Sequence, residues 1–337
     1  MIFVLILATI LIIAIEAFLI ITAFAHKMLF GKRCDGDKRL KYFTHEDFDS
    51  LKARKIEFID KNGTTLRGAI YAKAGIQEPE ALIIFSHGMG GGHLSYMTEI
   101  NTFADKGFAV LAFDNAGTFD SDGEKLGGFS TGPDSLRAAL KYVENHPTLS
   151  KMKKVLMGHS WGGYSVCQVL GDENTDVDCA VTFGAPESGY AVSSAVLGEK
   201  FRFLIPLVKL VFCLKEGKQA AISSSECIER ASGTPVLLLH GKRDHIVAPS
   251  ISAAELSKNL PNATSVLFDG RFHNVYQTID SEIYMNQTFA KIKEVQKNKN
   301  ASEEEINACY EIDYELITRE DPSVMDFVTD FIRKNIQ

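Results

Sequence analysis

Residues 154–163 read KVLMGHSWGG, an apolar run followed by a segment rich in glycine. Residues 158–162 satisfy the G-x-S-x-G pattern, and the run before them has the length and composition of a buried strand. A nucleophilic serine at such a position stands on a sharp, strained turn between a strand and a helix, where only small residues fit on either side. The segment therefore predicts a nucleophile elbow with Ser160 at its apex.

The apolar run at 154–158 belongs to a series of six that alternate with helical segments; the other five cover residues 81–86, 109–114, 179–183, 236–240 and 265–268. This alternation predicts a mostly parallel sheet with helices on both faces. Before the series, residues 55–60 and 65–72 flank Asn62-Gly63, which is typical of a tight hairpin. We therefore expect an α/β fold with an eight-stranded sheet that begins antiparallel.

A serine hydroxyl needs a base to take its proton, and His273 is the candidate. It follows the last predicted strand, in the segment GRFHN at 270–274. In α/β folds with this elbow the triad residues come in the order serine, acid, histidine. Among the other histidines, His159 lies in the elbow, His240 lies on a strand, and three are remote from the carboxyl end of any strand, namely His26, His45 and His146. His273 is therefore the predicted general base.

Asp244 is the candidate acid, because it follows the predicted strand at 236–240. Its carboxylate would hold the imidazole in one tautomer and stabilise the cation that forms during attack. Asp269 is the alternative, since it is close to His273 in sequence, although its position is more typical of a turn residue.

Two backbone amides are candidates for an oxyanion hole. The amide of Trp161 follows the nucleophile, and that of Met89 lies in the glycine-rich turn SHGMGGG at 86–92, after the third strand. The turn lacks the G-x-x-x-x-G-K-[ST] pattern of a phosphate-binding loop. A flexible glycine loop is the other interpretation.

These motifs, in this order, resemble the α/β-hydrolase superfamily and, more narrowly, its lipase and monoacylglycerol-lipase-like branch, which is also similar to proline-iminopeptidase-like serine aminopeptidases. The resemblance covers residues 55–337 and rests on His87-Gly88, the elbow, Asp244 with the IVAP segment at 246–249, and His273. It implies a serine hydrolase that cleaves carboxylic esters through an acyl-enzyme, with no metal or cofactor.

One loop departs from that family's pattern. The family has D-x-R-G-x-G-x-S where this chain has DNAGTFDS at 114–121, so Ala116 and Phe119 replace an arginine and a glycine. The loop borders the expected site, and the change leaves substrate preference and local loop geometry open.

Two inserts interrupt the strand pattern. Residues 187–232 separate strands that normally need a single helix between them, and we interpret them as a helical cap, the position of which resembles that of the family's cap. Packing decoration is the alternative. Residues 282–319 form a second insert, expected to be helical with a solvated, charged face.

Residues 1–25 predict a transmembrane helix. Up to Phe24 the segment contains one charged residue, Glu16, and it exceeds the roughly 20 residues needed to cross a bilayer. A basic juxtamembrane segment, 26–54, follows it, and this bias favours a cytoplasmic position for the catalytic domain, 55–337. A cleaved export signal is the alternative, since Ala23-Phe24-Ala25 resembles a cleavage site.

Composition narrows the partners further. The net charge of −7 and the absence of a clustered basic face argue against nucleic acid. The six cysteines show no zinc-site or redox spacing. Whether Cys213 and Cys227 pair is left open, as is the oligomeric state.

The expected substrate is a small-molecule ester, with an acyl or lipid-like part if the helix and the apolar cap act together. A peptidase acting on short peptides is the nearest alternative, and an acidic cluster of Glu216, Glu226 and Glu229 in the cap would favour it. A non-catalytic binding module on the same fold is the third possibility.

Overall fold

A single eight-stranded sheet forms the centre of the computed structural model, which describes residues 1–195 and 197–337. The strand order is β1-β2-β4-β3-β5-β6-β7-β8. The strands are β1 Leu51–Ile59, β2 Thr65–Lys73, β3 Leu82–Ser86, β4 Ala109–Phe113, β5 Lys154–His159, β6 Cys179–Phe183, β7 Val236–Gly241 and β8 Ala263–Phe268. β2 is antiparallel to both of its neighbours, and every other pairing is parallel.

The sheet confirms the predicted fold class. Every residue of β3 to β7 is buried, which explains why these strands are continuous apolar runs in the sequence. Strand bounds differ at the sheet edges: β1 begins at Leu51 instead of residue 55, and β8 begins at Ala263 instead of residue 265.

Helices cover both faces of the sheet. In the described part of the chain they are α1 Ile2–Phe30, α2 Met97–Asp105, α3 Thr131–Asn145, α4 Trp161–Leu170, α5 Gly189–Ala195, α6 Ile205–Glu216, α7 Ser224–Arg230, α8 Ala253–Leu256, α9 Ile279–Lys297, α10 Glu303–Ala308, α11 Tyr314–Ile317 and α12 Pro322–Asn335. Apolar residues of α2 and α12 form the core on one face, and those of α3, α4, α7 and α8 form the core on the other.

The two inserts are helical. Residues 187–232, where we expect a cap, contain α5, α6 and α7. Val196 of this insert lies outside the described residues. The second insert starts earlier than residue 282, because α9 begins at Ile279. The prediction that its charges form a solvated face is wrong for Glu282, which is fully buried.

α1 is longer than the predicted helix at 1–25, since it continues to Phe30. Its final turn packs against the cap: His26 and Phe30 are buried, and Phe30 joins a cluster with Phe212 of α6 and Trp161 of α4. Within the described residues it is the one helix long and apolar enough to cross a membrane, a property that suits an anchor or a signal sequence.

The six cysteines are free thiols in this structure. Cys213 and Cys227 therefore form no disulfide bond.

Candidate active site

Ser160 stands on a strained turn between β5 and α4. Its φ of 54° and ψ of −116° lie in a region that non-glycine residues rarely adopt. Its amide donates to the Phe183 carbonyl at 2.7 Å, which fixes the turn to β6. A Cβ atom on Gly162 would lie 1.9 Å from the Ser86 carbonyl oxygen. The elbow predicted from the sequence is thus required by the close approach of β3 and α4.

Asp244 and His273 form a buried pair after β7 and β8. Asp244 Oδ2 lies 2.6 Å from His273 Nδ1, and Oδ1 accepts from the amides of Ile246 and Val247 at 2.8 and 2.9 Å. Burial alone would raise the pKa of Asp244, but the hydrogen bonds and the charge of His273 lower it overall. An ionised Asp244 accepts the Nδ1 proton of His273, which leaves the lone pair on Nε2.

Ser160 and His273 line one cavity of about 430 Å³ between the sheet edge and the cap. Among the contacts of the described residues, no hydrogen bond joins Ser160 Oγ to the imidazole. Hydrogen bonds between a nucleophile and its base are often long without substrate and tighten when substrate binds. The structure thus brings the two residues to the same cavity without closing their bond.

Asp269, the alternative acid, lies elsewhere. Its side chain is 89% exposed and pairs with Lys242 at 3.0 Å. It makes no contact with His273 in the described part of the chain.

Met89 and Trp161 line the same cavity. Within the described residues, neither amide donates to a carbonyl or a side chain, so both are available to a ligand. The Met89 turn is held by His87, whose Nδ1 donates to the Gly88 carbonyl at 2.8 Å and whose Nε2 accepts from the Asn115 amide at 3.0 Å. Burial lowers the pKa of His87, which keeps this ring neutral.

Sequence reasoning missed Glu282. Its carboxylate accepts from the amides of Phe272 and Asn274, at 3.1 and 2.6 Å, on both sides of His273. Burial raises the pKa of Glu282. The residue lies in the first turn of α9, and nothing in the local pattern distinguishes it from an exposed helix charge.

His159, which the sequence places in the elbow, also lines the cavity. Its ring centroid is 4.8 Å from that of His273, and its Nδ1 accepts from Tyr96 Oη at 2.9 Å. Tyr96 Oη in turn accepts from the Gly88 amide at 2.9 Å. Burial lowers the pKa of His159 well below its usual value, so the ring is neutral.

The ionisable side chains in the described lining of the cavity are those of His159, His273 and Tyr96. Of the residues that the structure describes, its lining contains no aspartate, glutamate, lysine or arginine. The three cap glutamates lie elsewhere: Glu216 accepts from His26 at 2.6 Å and from Ser130, Glu226 caps α7, and Glu229 is exposed. Burial would raise the pKa of Glu216, but the bonds from His26 and Ser130 lower it overall.

The loop that departs from the family pattern is held by the segment before β1. Arg33 donates to the carbonyls of Phe119 and Ser121, at 2.7 and 3.0 Å, and the Phe119 ring packs against Tyr42 at 5.2 Å between centroids. Within the loop, Ser121 Oγ donates to the Asp114 carbonyl at 2.6 Å. The loop has Ala116 where the family pattern has an arginine, and the arginine that binds the loop here is Arg33, which lies outside it.

No group of three or more His, Cys, Asp or Glu side chains is placed to hold a metal ion in the part of the chain that the structure describes.

Comparisons with known proteins agree with the fold. The family model described as serine aminopeptidase, S33, matches residues 77–212. The uncharacterized protein YfhR of Escherichia coli K12 is 24% identical over 243 residues, which cover 71% of this chain and 80% of that protein.

Two solved structures are similar to this chain. The Pyrococcus furiosus esterase Pf2001 superposes with a TM-score of 0.55 at 17% identity, covering 78% of this chain and 97% of the esterase. Est1E from Butyrivibrio proteoclasticus, solved with ferulic acid, gives 0.54 at 19% identity over 83% and 98% of the two chains. The family match supports an enzyme of the hydrolase class. With this sheet and elbow, the chain has the α/β-hydrolase fold.

Proposed function

We propose that this protein is a serine hydrolase that cleaves carboxylic esters, with Ser160 as nucleophile, His273 as general base and Asp244 as the acid that orients it. One observation carries the proposal: the 2.6 Å Asp244–His273 pair faces the same cavity as a serine on a strained turn. Such a combination of nucleophile, base and orienting acid is the arrangement that acyl transfer needs.

In the first half of the reaction, Ser160 Oγ attacks the ester carbonyl carbon while His273 Nε2 takes the hydroxyl proton. The negative charge that develops on the carbonyl oxygen is stabilised by hydrogen bonds from the free amides of Met89 and Trp161. When the tetrahedral intermediate collapses, the carbon–oxygen bond to the leaving group breaks, and the departing alcohol takes the proton from His273.

In the second half, water attacks the acyl-enzyme. His273 takes a proton from the water and returns it to Ser160 Oγ as the acid leaves. Throughout, the ionised Asp244 stabilises the imidazolium form of His273.

The cavity lining favours an ester over a peptide with a free amino terminus. An aminopeptidase must hold the ammonium group of its substrate, and an unpaired buried charge is costly. The described lining offers no carboxylate, and the three cap glutamates are engaged or turned away. This choice agrees with the likeness to two solved structures. One is the esterase Pf2001, and the other is Est1E with ferulic acid bound.

An aminopeptidase remains the second candidate, because the matching family model is that of the S33 serine aminopeptidases. A non-catalytic binding module is disfavoured by two free amides and an ion pair that such a module does not need.

We also propose that α1 anchors the domain to a membrane, with the catalytic domain on the cytoplasmic side, and that the substrate has an acyl or lipid-like part. The apolar surface of α1 and the basic residues after it support this placement. Cleavage after Ala25, as a signal peptide would undergo, is the alternative.

The test is labelling with a fluorophosphonate probe. We expect the parent protein to be labelled, Ser160→Ala to lose the label and roughly 10⁶-fold of its ester turnover, and Ser250→Ala, which changes an exposed serine, to keep both. An unlabelled parent protein would refute the proposal.

A second panel separates the two enzyme candidates. Nitrophenyl esters of increasing acyl length and aminoacyl nitroanilides are compared at equal concentration. Ester turnover that rises with chain length before it falls is the expected result. Turnover confined to unblocked aminoacyl anilides would replace the ester proposal with the aminopeptidase.

A further inference from the structure

A second cavity, of about 650 Å³, adjoins the catalytic one. Five residues line both cavities: Met89, Gly90, Tyr96, His159 and Asn274. Two of them are direct chain neighbours of catalytic candidates, since His159 precedes Ser160 and Asn274 follows His273. The two cavities therefore share a wall that includes the chain neighbours of Ser160 and His273.

The walls of this cavity come from two parts of the chain that the catalytic candidates do not use. One wall is the segment between α1 and β1, residues 31–50, which we call the linker. The other is the second insert, with α9 and α11. Most of the side chains that they contribute are apolar, among them Leu40, Phe43, Met285, Phe289 and Ile317.

The linker is a fixed wall, because hydrogen bonds hold it on both sides. Near its start, the Cys34 amide donates to the Gly117 carbonyl at 3.0 Å, next to the Arg33 contacts described above. Further along, the Asp37 carboxylate accepts from Tyr310 Oη, and the Lys41 amide donates to Tyr314 Oη at 2.7 Å. The linker thus joins the loop at 114–121 to the second insert.

The charged side chains that line this cavity are ion-paired, hydrogen-bonded or protonated. The Asp37 carboxylate accepts from Tyr310 Oη and from Gln296 Nε2. Arg33 binds Asp35 at 2.8 Å, and Lys41 binds Asp47 at 3.0 Å. Burial, together with the charge of Glu320, raises the pKa of Glu99 to about 8, so this carboxyl is protonated at neutral pH. A cavity of this kind suits an uncharged and mainly apolar ligand, and its volume is in the usual range for small-molecule sites.

We propose that this linker cavity binds the hydrocarbon chain of the ester substrate while the ester carbonyl lies at Ser160. The linker that follows the membrane helix is then part of the substrate site. The space between the linker and the second insert limits the length of the hydrocarbon chain that can bind. The inference rests on the proposed ester hydrolase function.

The test narrows the cavity from the linker side with Leu40→Trp. The matched control is Lys38→Trp, which places the same ring on an exposed linker residue outside the cavity lining. Ile312→Trp narrows the opposite wall and provides a second variant if Leu40→Trp does not fold. Folding is checked by the thermal midpoint and by fluorophosphonate labelling.

Two substrate series are used: nitrophenyl esters from butyrate to laurate, and acetates of alcohols from butanol to dodecanol. In one of the series, we expect Leu40→Trp to lower kcat/KM for the longest substrate by about 10-fold or more, mainly through KM, and to leave the shortest within about twofold. The series that responds tells whether the acyl or the alcohol chain occupies the cavity. Lys38→Trp should match the parent protein throughout.

The outcomes separate this inference from the proposed function. If the parent protein is labelled and hydrolyses esters, but Leu40→Trp and Ile312→Trp keep the parent's chain-length dependence in both series, the linker cavity does not bind the chain and the inference is overturned. Absence of labelling in the parent protein would instead remove the ester hydrolase function itself.

Discussion

The carboxyl edge of the sheet and the cover above it are built in different ways. At the edge, Ser160, Asp244 and His273 each follow a strand within a few residues, and short segments of the chain determine their positions. The cover consists of the last turn of α1, the linker, the cap and the second insert. Its contacts join residues far apart in sequence: His26 with Glu216, and Lys41 with Tyr314.

From this difference we expect the sheet edge to determine the chemistry and the cover to determine substrate selectivity. The edge depends on the backbone geometry of strand ends and tight turns, whereas the cover depends on side-chain contacts between segments far apart in sequence. Changes at the edge should therefore remove turnover, and changes in the cover should alter positioning, substrate range or stability.

The largest effect is expected from Asp244→Asn at the edge. An amide in this position cannot stabilise the imidazolium, and it favours the wrong tautomer of His273, so kcat for nitrophenyl butyrate should fall by about 10⁴-fold. Asp269→Asn, which changes an exposed carboxylate, should leave kcat unchanged. Retention of more than about a tenth of the parent kcat in Asp244→Asn would contradict the assigned role.

A smaller effect is expected from Glu282→Gln, where the cover supports the edge. An amide keeps one acceptor for the two amides beside His273, so the loss of a charged hydrogen bond, about 1.5–3 kcal/mol, should lower kcat by about 10- to 100-fold with little change in KM. Asp280→Asn, an exposed neighbour on α9, is the control.

The pH profile distinguishes positioning by Glu282 from general loosening of the fold. Removing its negative charge disfavours the protonated imidazole, so the acid limb of kcat/KM should move to lower pH in Glu282→Gln. A lower kcat with an unmoved acid limb would indicate a merely structural role.

The smallest effect is expected beneath the linker cavity, at Glu99. The pKa values of Glu99 and Glu320 are raised to about 8 and about 7, so between roughly pH 5 and 8 the folded protein binds more protons than the unfolded chain. Stability should therefore fall as pH rises through this range.

Glu99→Gln should flatten that dependence, because it removes one of the two titrating groups. The pH dependence of stability is measured from thermal midpoints at acidic and alkaline pH. The control is Glu78→Gln, which changes an exposed residue. Equal slopes in all three proteins would show that the pair titrates normally.

The sequence predicted the edge well, because its signals are local. A G-x-S-x-G segment after a buried strand is incompatible with most other backbone paths, and the parallel sheet brings the ends of its strands to one edge. The fold class is confirmed on this basis. The roles of Ser160, Asp244, His273 and the two amides stay predictions that the proposed labelling and kinetics test.

The sequence predicts that the two inserts of the cover are helical, but it does not predict the contacts that they make, because the signals for those contacts are not local. Glu282 has the surroundings of a solvated helix charge, and only the packing of α9 against the His273 loop turns it inward. Similarly, His26 and Lys27 have the polarity of a helix end, and α1 continues to Phe30 because Phe212 of the cap provides an apolar contact there.

The burial of the last turn of α1 limits where the domain can stand. A helix of 29 residues is about 44 Å long, and a hydrocarbon core takes about 30 Å of it. If α1 spans a bilayer as we propose, the cap is held close to the membrane, because its apolar cluster packs against both Phe30 and Phe18 of α1. A lipid substrate would then pass laterally from the membrane leaflet into the enzyme and would hardly be exposed to water.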